Sequence, residues 1–349
     1  MPNYFGGDND RPLIIEREEI LLPDYVPDEL IHRDAELQNI ADSVKPLLSK
    51  RTPHNIFIHG FSGSGKTTCV KLILKQLIEH SSNVLPVYVN CWEHTTQMAV
   101  YGRIIEEMRL PLPRRGLAAD EIFSKILEYI KNYKKPVLLV LDEIDGLRHD
   151  NILYVISRSN EKALMFGLIG ISNNKTFMAK LDDRVRSSLR FSELEFKKYS
   201  EDQLVSILRT RAELALAPKS YDERILLKIV RSTDDTSARV ALELLWKAAK
   251  NAEKNSRTSI MLQDIEDISS DSHSFKSEFK FSSEEILILK ALEKGPLTSS
   301  ELYNSLSEKI PKTKRQIRNY IDLLEKKGVI ESEELESDGI LKPKLFRLK

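Results

Sequence analysis

The segment Gly60-Phe61-Ser62-Gly63-Ser64-Gly65-Lys66-Thr67 constrains this chain more than any other stretch. It fills every fixed position of the pattern G-x-x-x-x-G-K-[ST], and its flanks have the right character. Asn55 to His59 reads as a short buried strand, and Thr68 to His80 as an amphipathic helix. Glycines let backbone N–H groups turn inward around phosphate oxygens, and the helix N-terminus adds the positive end of its dipole. The expected phosphate contacts are Gly60, Ser62, Gly63, Ser64, Gly65, Lys66, Thr67 and Thr68. Lys66 is expected to reach the β- and γ-phosphates of a nucleotide, ATP or ADP, and the Thr67 hydroxyl to ligate Mg²⁺. A glycine-rich surface turn is the alternative, but it would not need this strand and helix around it.

Pro136 to Asp145 is an apolar run ending in acids, as suits a strand buried on both faces of a parallel sheet. Ligands of such sheets bind beyond the carboxyl ends of the strands, where Asp142 and Glu143 emerge. Asp142 is the expected Mg²⁺ partner, direct or through water, and Glu143 the group that polarises an attacking water. A further buried segment, Ala163 to Ser172, ends in Asn173-Asn174, where a polar side chain either orients that water or serves as a turn residue. Arg184 or Arg186 reads as an arginine finger for a neighbouring subunit, or else as a solvated surface group. Ser200 to about Ser270 is a series of helical patterns, opening with Ser200-Glu201-Asp202-Gln203 as a helix start. Arg239 opens a helix at the end where a cation gains nothing from the dipole, which favours a phosphate-facing role.

The chain's 349 residues allow two or three domains at roughly 100–200 residues each. Lys+Arg and Asp+Glu are both 53, so any nucleic-acid surface must be a local patch. Cys69 and Cys91 have no metal-ligand spacing and read as buried thiols. No apolar run approaches the roughly 18 residues of a membrane span, and Met1 to Asp10 is polar. A soluble intracellular protein with no membrane partner is expected.

From Phe281 the pattern changes. Ser283 to Leu292 and Thr298 to Leu306 read as helices, and Thr313 to Lys327 as a third. Strand-like runs follow at Val329 to Leu335 and Lys344 to Leu348, with a turn candidate at Asp338-Gly339. That order is a winged helix-turn-helix pattern, whose recognition helix enters the major groove N-terminal end first. Its leading turns carry Lys312, Lys314, Arg315 and Arg318, with Gln316 and Asn319 interleaved. Ile317, Ile321 and Leu324 form the core-facing stripe, so the basic residues should point outward. The wing carries Glu331, Glu333, Glu334, Glu336 and Asp338, which repel phosphate, and only Lys342, Lys344 and Arg347 on the return run favour it.

With these pieces in order the chain resembles the AAA+ ATPases. More narrowly it is similar to the archaeal initiators related to origin recognition complex subunit one and cell division control protein six. Pro23-Asp24-Tyr25-Val26-Pro27 through Leu37 looks like the family's opening segment, which implies that Val26 and Arg33 lie by the adenine. Leu110-Pro111-Leu112-Pro113-Arg114-Arg115-Gly116-Leu117 resembles the end of the initiator-specific insertion. By that likeness Arg103, Arg109, Arg114 and Arg115 touch DNA. Asn173 matches the first sensor, Arg184 the finger position and Arg239 the second sensor. Where the family has Gly-Asp-Ala-Arg before that sensor, this chain has Thr236-Ser237-Ala238-Arg239.

The resemblance implies an α/β fold: a P-loop parallel-sheet base at 12–198, a helical lid at 199–272 and a C-terminal winged helix at 280–349. It further implies an ATP-switched, slowly hydrolysing protein that binds double-stranded origin DNA in the cytoplasm, at the nucleoid. A replicative helicase and further initiator copies are the implied protein partners. One rival is a regulatory or signalling NTPase with a winged helix, acting in transcription or on protein partners. The other is a DNA-binding module that holds ATP without hydrolysing it.

Overall fold

The computed structural model describes residues 13–112, 116–160, 166–233, 236–271, 283–292, 295–307, 317–318, 320–321, 324–325, 329–334 and 344–348. The chain divides into two compact units, Met1–Ile265 and Glu266–Lys349.

The first unit is built on five parallel strands in the order β2-β3-β4-β1-β5. They are β1 (Ile56–Gly60), β2 (Leu85–Asn90), β3 (Val137–Asp142), β4 (Phe166–Ser172) and β5 (Ser192–Phe196). Burial follows position in the sheet. Central β3 and β4 are buried at every residue, whereas edge strands β2 and β5 are buried only in part. A central parallel strand is covered on both faces by crossover helices, so it must be apolar throughout.

Successive side chains leave a strand on opposite faces. On one face Phe57, Val87, Leu139 and Leu168 pack against helices α3 (Gln97–Glu107), α4 (Ala119–Tyr133) and α5 (Asn151–Ser159). On the other, Ile58, Leu138, Val140 and Ile171 pack against α1 (Asp34–Leu48) and α2 (Lys66–His80). Short helices α6 (Phe177–Lys180) and α7 (Asp183–Leu189) lead from β4 into β5.

After β5 the chain turns helical: α8 (Glu201–Ala215), α9 (Glu223–Arg231), α10 (Ala238–Lys254) and α11 (Leu262–Asp271). The expected start of α8 is present as a reciprocal cap. Gln203 N donates to Ser200 Oγ at 3.2 Å, and Ser200 N donates to Gln203 Oε1 at 3.0 Å. Two orphan N–H groups are thereby satisfied.

A ribbon before α1 is fastened to these helices. Ile14 N and Ile15 N donate to Glu253 Oε1 at 2.8 and 2.9 Å, and Trp246 Nε1 donates to Glu18 Oε1 at 2.8 Å. Beyond Tyr25 the same ribbon joins the sheet domain, where Lys75 Nζ pairs with Asp28 at 2.7 Å.

In the second unit, helices Ser283–Leu292 and Ser299–Ser307 accompany three antiparallel strands in the order β6-β8-β7. These are β6 (Leu297–Thr298), β7 (Ile330–Glu334) and β8 (Lys344–Leu348). The two-residue β6 takes in Thr298, read from sequence as the first residue of the second helix. It is held by pairing with Leu345 and Phe346 rather than by local preference. Ile317, Ile321 and Leu324 are all buried with Leu302, Leu306 and Phe346, as the apolar stripe requires. The arrangement is a winged helix. Both cysteines are buried thiols, and burial pushes each up to about 12.

Candidate nucleotide-binding site

The loop between β1 and α2 turns through Gly63 (φ +73°) and Gly65 (φ +92°), a region that side-chain-bearing residues avoid. Lys66 is buried, and its ammonium donates to Gly60 O at 2.9 Å, Phe61 O at 2.7 Å and Asn173 Oδ1 at 2.8 Å. Burial pulls the amine down to about 8, against the neighbouring Glu143 and Asp142 carboxylates. Thr67 Oγ1 donates to Asp142 Oδ2 at 2.8 Å, so the expected Mg²⁺ pair is already together.

Glu143 follows β3 in a left-handed conformation (φ +52°), which turns its carboxylate toward Asn173. Asn173 Nδ2 donates to both carboxylate oxygens at 3.1 Å. Asn173 therefore bridges Lys66 and Glu143, three residues separated by up to 107 positions in sequence. Burial, followed by the charges of Asp142 and Asp145, raises the Glu143 carboxyl above its ordinary value. A base so raised is better matched to accepting a proton near neutrality.

These groups open on a cavity of about 370 Å³, lined by Lys66, Thr67, Glu143 and Asn173 together with Tyr25 and Arg211. Ser62, Gly63, Gly65 and Thr68 also line it, whereas Gly60 and Ser64 do not. The helical layer closes the top. Ala238 N donates to Gly63 O at 3.2 Å, and Arg239 reaches the cavity wall from the first turn of α10. A Cβ on Gly63 would stand 1.9 Å from Ser237 Oγ, so glycine is what lets α10 dock.

Two residues expected beside the nucleotide are not on the cavity wall. Arg33 does not face the cavity; it is a buried strut. Its Nε donates to Ser64 O at 3.1 Å, its NH2 group to Lys197 O at 2.7 Å and its NH1 group to Glu36 at 2.6 Å. Its guanidinium also lies 4.0 Å from the Tyr199 ring centre. Buried donors take the nearest acceptors, and here those are backbone carbonyls of the loop and of the β5 exit. Val26 is half-buried and off the cavity wall, which its neighbours Tyr25 and Pro27 line instead.

Two residues at the site were missed. Tyr88 donates to Asp142 Oδ2 at 2.5 Å, and Arg211 donates to Ile20 O at 3.1 Å while lying 4.5 Å over Tyr25. Neither belongs to a recognisable motif.

Arg184 is exposed on α7 and does not line its own chain's cavity. Arg186 pairs with Asp183 at 2.5 Å on the same helix.

The candidate DNA contacts divide unevenly. Arg103 is ion-paired with Glu106 at 3.0 Å and with Glu107, so its charge is neutralised on its own helix. Arg109 is exposed at the end of α3; Arg114 and Arg115 lie outside the described residues. So do Lys312, Lys314, Arg315, Gln316 and Asn319, while Arg318 is described and exposed. Lys344 is exposed at the start of β8, opposite Glu334. Arg347, expected to favour phosphate, is instead paired across the wing with Glu331 at 2.5 Å.

Residues 49–175 match the family of AAA domains, and residues 205–270 match the Cdc6 AAA+ ATPase-type lid domain. The chain is 31% identical over 343 residues to the ORC1-type DNA replication protein 1 of Sulfurisphaera tokodaii, covering 92% of this chain and 86% of that protein. It is likewise 31% identical to the ORC1-type DNA replication protein of Pyrococcus horikoshii, covering 96% and 87%. Among solved structures it superimposes on the Aeropyrum pernix ORC1 protein in complex with DNA, with a TM-score of 0.77 and 30% identity. That match covers 96% of this chain and 94% of the other. Cdc6p of Pyrobaculum aerophilum shares the fold, with a TM-score of 0.69 at 24% identity over 96% and 94%. With an AAA domain, a Cdc6-type lid and a winged helix in register with these relatives, the chain belongs to the ORC1-type DNA replication proteins, a family of AAA+ ATPases.

Proposed function

We propose that this chain is an ATP-switched replication initiator: it binds double-stranded DNA at replication origins and hydrolyses ATP slowly to change state. One observation carries the reading. The Lys66–Asn173–Glu143 chain and the Thr67–Asp142 pair meet inside one cavity that Arg239 closes from the lid. Such an arrangement binds a triphosphate and responds to its hydrolysis. The domains are a base at 12–198, a lid at 199–272 and a winged helix at 280–349.

In this reading Lys66 leaves Asn173 for the β- and γ-phosphate oxygens, and Arg239 meets the triphosphate from above. Asn173, released from Lys66, holds the attacking water with Glu143, which takes its proton. Arg184 would serve the site of a second copy. Thr67 and Asp142 offer hard oxygen donors 2.8 Å apart, which suits Mg²⁺ shared with phosphates and water. Among the described residues no cluster of three His, Cys, Asp or Glu could cage a metal alone. When bound, Mg²⁺ neutralises charge on the phosphate oxygens.

DNA contact would come from Arg109, Arg114 and Arg115 on the base, and from Lys312, Lys314, Arg315, Gln316, Arg318 and Asn319 on the recognition helix, with Lys344 on the wing. Arg103 contributes least, because its glutamates must first be displaced. A replicative helicase is the proposed downstream partner, and the cytoplasm, at the nucleoid, the proposed location.

A salt titration of duplex binding tests the reading, since log affinity falls about 0.9 per neutralised phosphate per log unit of salt. Arg114→Ala and Arg315→Ala should each lower that slope by about one. If neither moves it, the two-patch reading fails. Footprinting on origin repeats against promoter fragments separates an initiator from a regulatory NTPase with the same fold.

A further inference from the structure

We propose that Tyr88 positions the Asp142 carboxylate for its divalent cation, a role that rests on the nucleotide reading above. The argument starts from strand register. Edge strand β2 pairs with β3 so that Tyr88 faces Val140 and Asn90 faces Asp142. Tyr88, Val140 and Asp142 leave the sheet on the face covered by α2, whose first turn carries Thr67. The direct partner Asn90 is already committed, because its Oδ1 accepts from Trp92 N at 2.9 Å. Tyr88 instead reaches one pleat forward to Asp142.

Asp142 has three donors. Thr67 Oγ1 and the Tyr88 hydroxyl both donate to Oδ2, at 2.8 and 2.5 Å, and Glu143 N donates to Oδ1 at 2.9 Å. The Thr67 hydroxyl, the expected cation ligand, can offer a lone pair to the cation while its proton stays on Asp142 Oδ2. Tyr88 is the second side-chain donor to Oδ2 and does not itself ligate the cation; with Thr67 it fixes how Asp142 presents its remaining lone pairs. The phenol is held in turn by burial and by Lys71, whose Nζ lies 5.4 Å over the ring. Partners that orient a cation's ligands typically govern metal affinity by about 10–100-fold.

The test uses Tyr88→Phe in the full chain, which keeps the ring beneath Lys71 and removes only the hydroxyl. Binding of a non-hydrolysable ATP analogue is measured by calorimetry in EDTA and across a series of MgCl₂ concentrations. The Mg²⁺ concentration that half-maximally tightens binding should rise roughly tenfold, while affinity in EDTA stays within about twofold. In an Asp142→Asn background the same substitution should add nothing, because the group it orients is gone. An unchanged Mg²⁺ midpoint overturns the proposal. So does equal weakening with and without Mg²⁺, which would make the hydroxyl a general support of the pocket. A parent chain that takes up no nucleotide in either buffer fails the nucleotide reading itself, and this proposal with it.

Discussion

Replacing Arg33 separates the strut seen here from an adenine contact. The side chain is 4% exposed and serves Ser64 O, Lys197 O and Glu36, with Tyr199 against its face. Hydrogen bonds from a charged donor contribute about 1.5–3 kcal/mol each, and removing one partner of a buried pair costs about 3–5 kcal/mol. Glu36 is itself only partly exposed, so Arg33→Met should cost about 4 kcal/mol in the unit that ends at Ile265. At about 2–4 °C per kcal/mol for a domain of this size, the melting point should drop by roughly 10 °C. Arg33→Lys keeps the charge but not the fork, so it should recover less than half of that loss. Trp92 and Trp246 are the only tryptophans and both lie in this unit, so their fluorescence follows its unfolding without nucleotide. Affinity for ADP and for inorganic tripolyphosphate should weaken together, because the loop backbone has lost its brace. An Arg33→Met chain that melts within about 2 °C of the parent, yet loses ADP and keeps tripolyphosphate, would refute the strut.

Glu143→Gln should bind ATP normally, since the amide oxygen still accepts from Asn173, yet slow single-turnover hydrolysis by about 10²–10⁴. Turnover at the parental rate would remove Glu143 from the chemistry. Gly63→Ala should push α10 off the loop and weaken nucleotide binding, by strain at φ +73° and by the 1.9 Å clash with Ser237 Oγ. Adding Ser237→Ala should restore part of the affinity but not the strain; calorimetry on the two variants reads the difference, and no restoration at all would reject the clash.

The local parts of the site were legible in the sequence. Gly60 to Thr67, the apolar run into Asp142-Glu143 and the Ser200–Gln203 cap are short-range patterns with one physical solution each. The core stripe Ile317, Ile321, Leu324 was legible for the same reason. What escaped depended on register or on backbone acceptors. Arg33 finds Lys197 O 164 positions away, and no side-chain pattern marks a carbonyl. Tyr88 meets Asp142 only through the β2–β3 alignment, and Arg347 meets Glu331 only once β7 and β8 are paired. The pairing of Arg103 was within reach, because Glu106 and Glu107 stand three and four residues on along one helix.

The ribbon stitched to the lid at Glu253 and Trp246 re-enters the sheet domain at Asp28, while the strand exit at Lys197 leads back out into α8. Lid and base are thus spliced at two places, Val26–Pro27 and Lys197–Ser200, and not at one. A displacement of α10 from the loop would have to bend the backbone at both crossings and would part the Ala238 N–Gly63 O hydrogen bond that now seats Arg239 beside the phosphate loop.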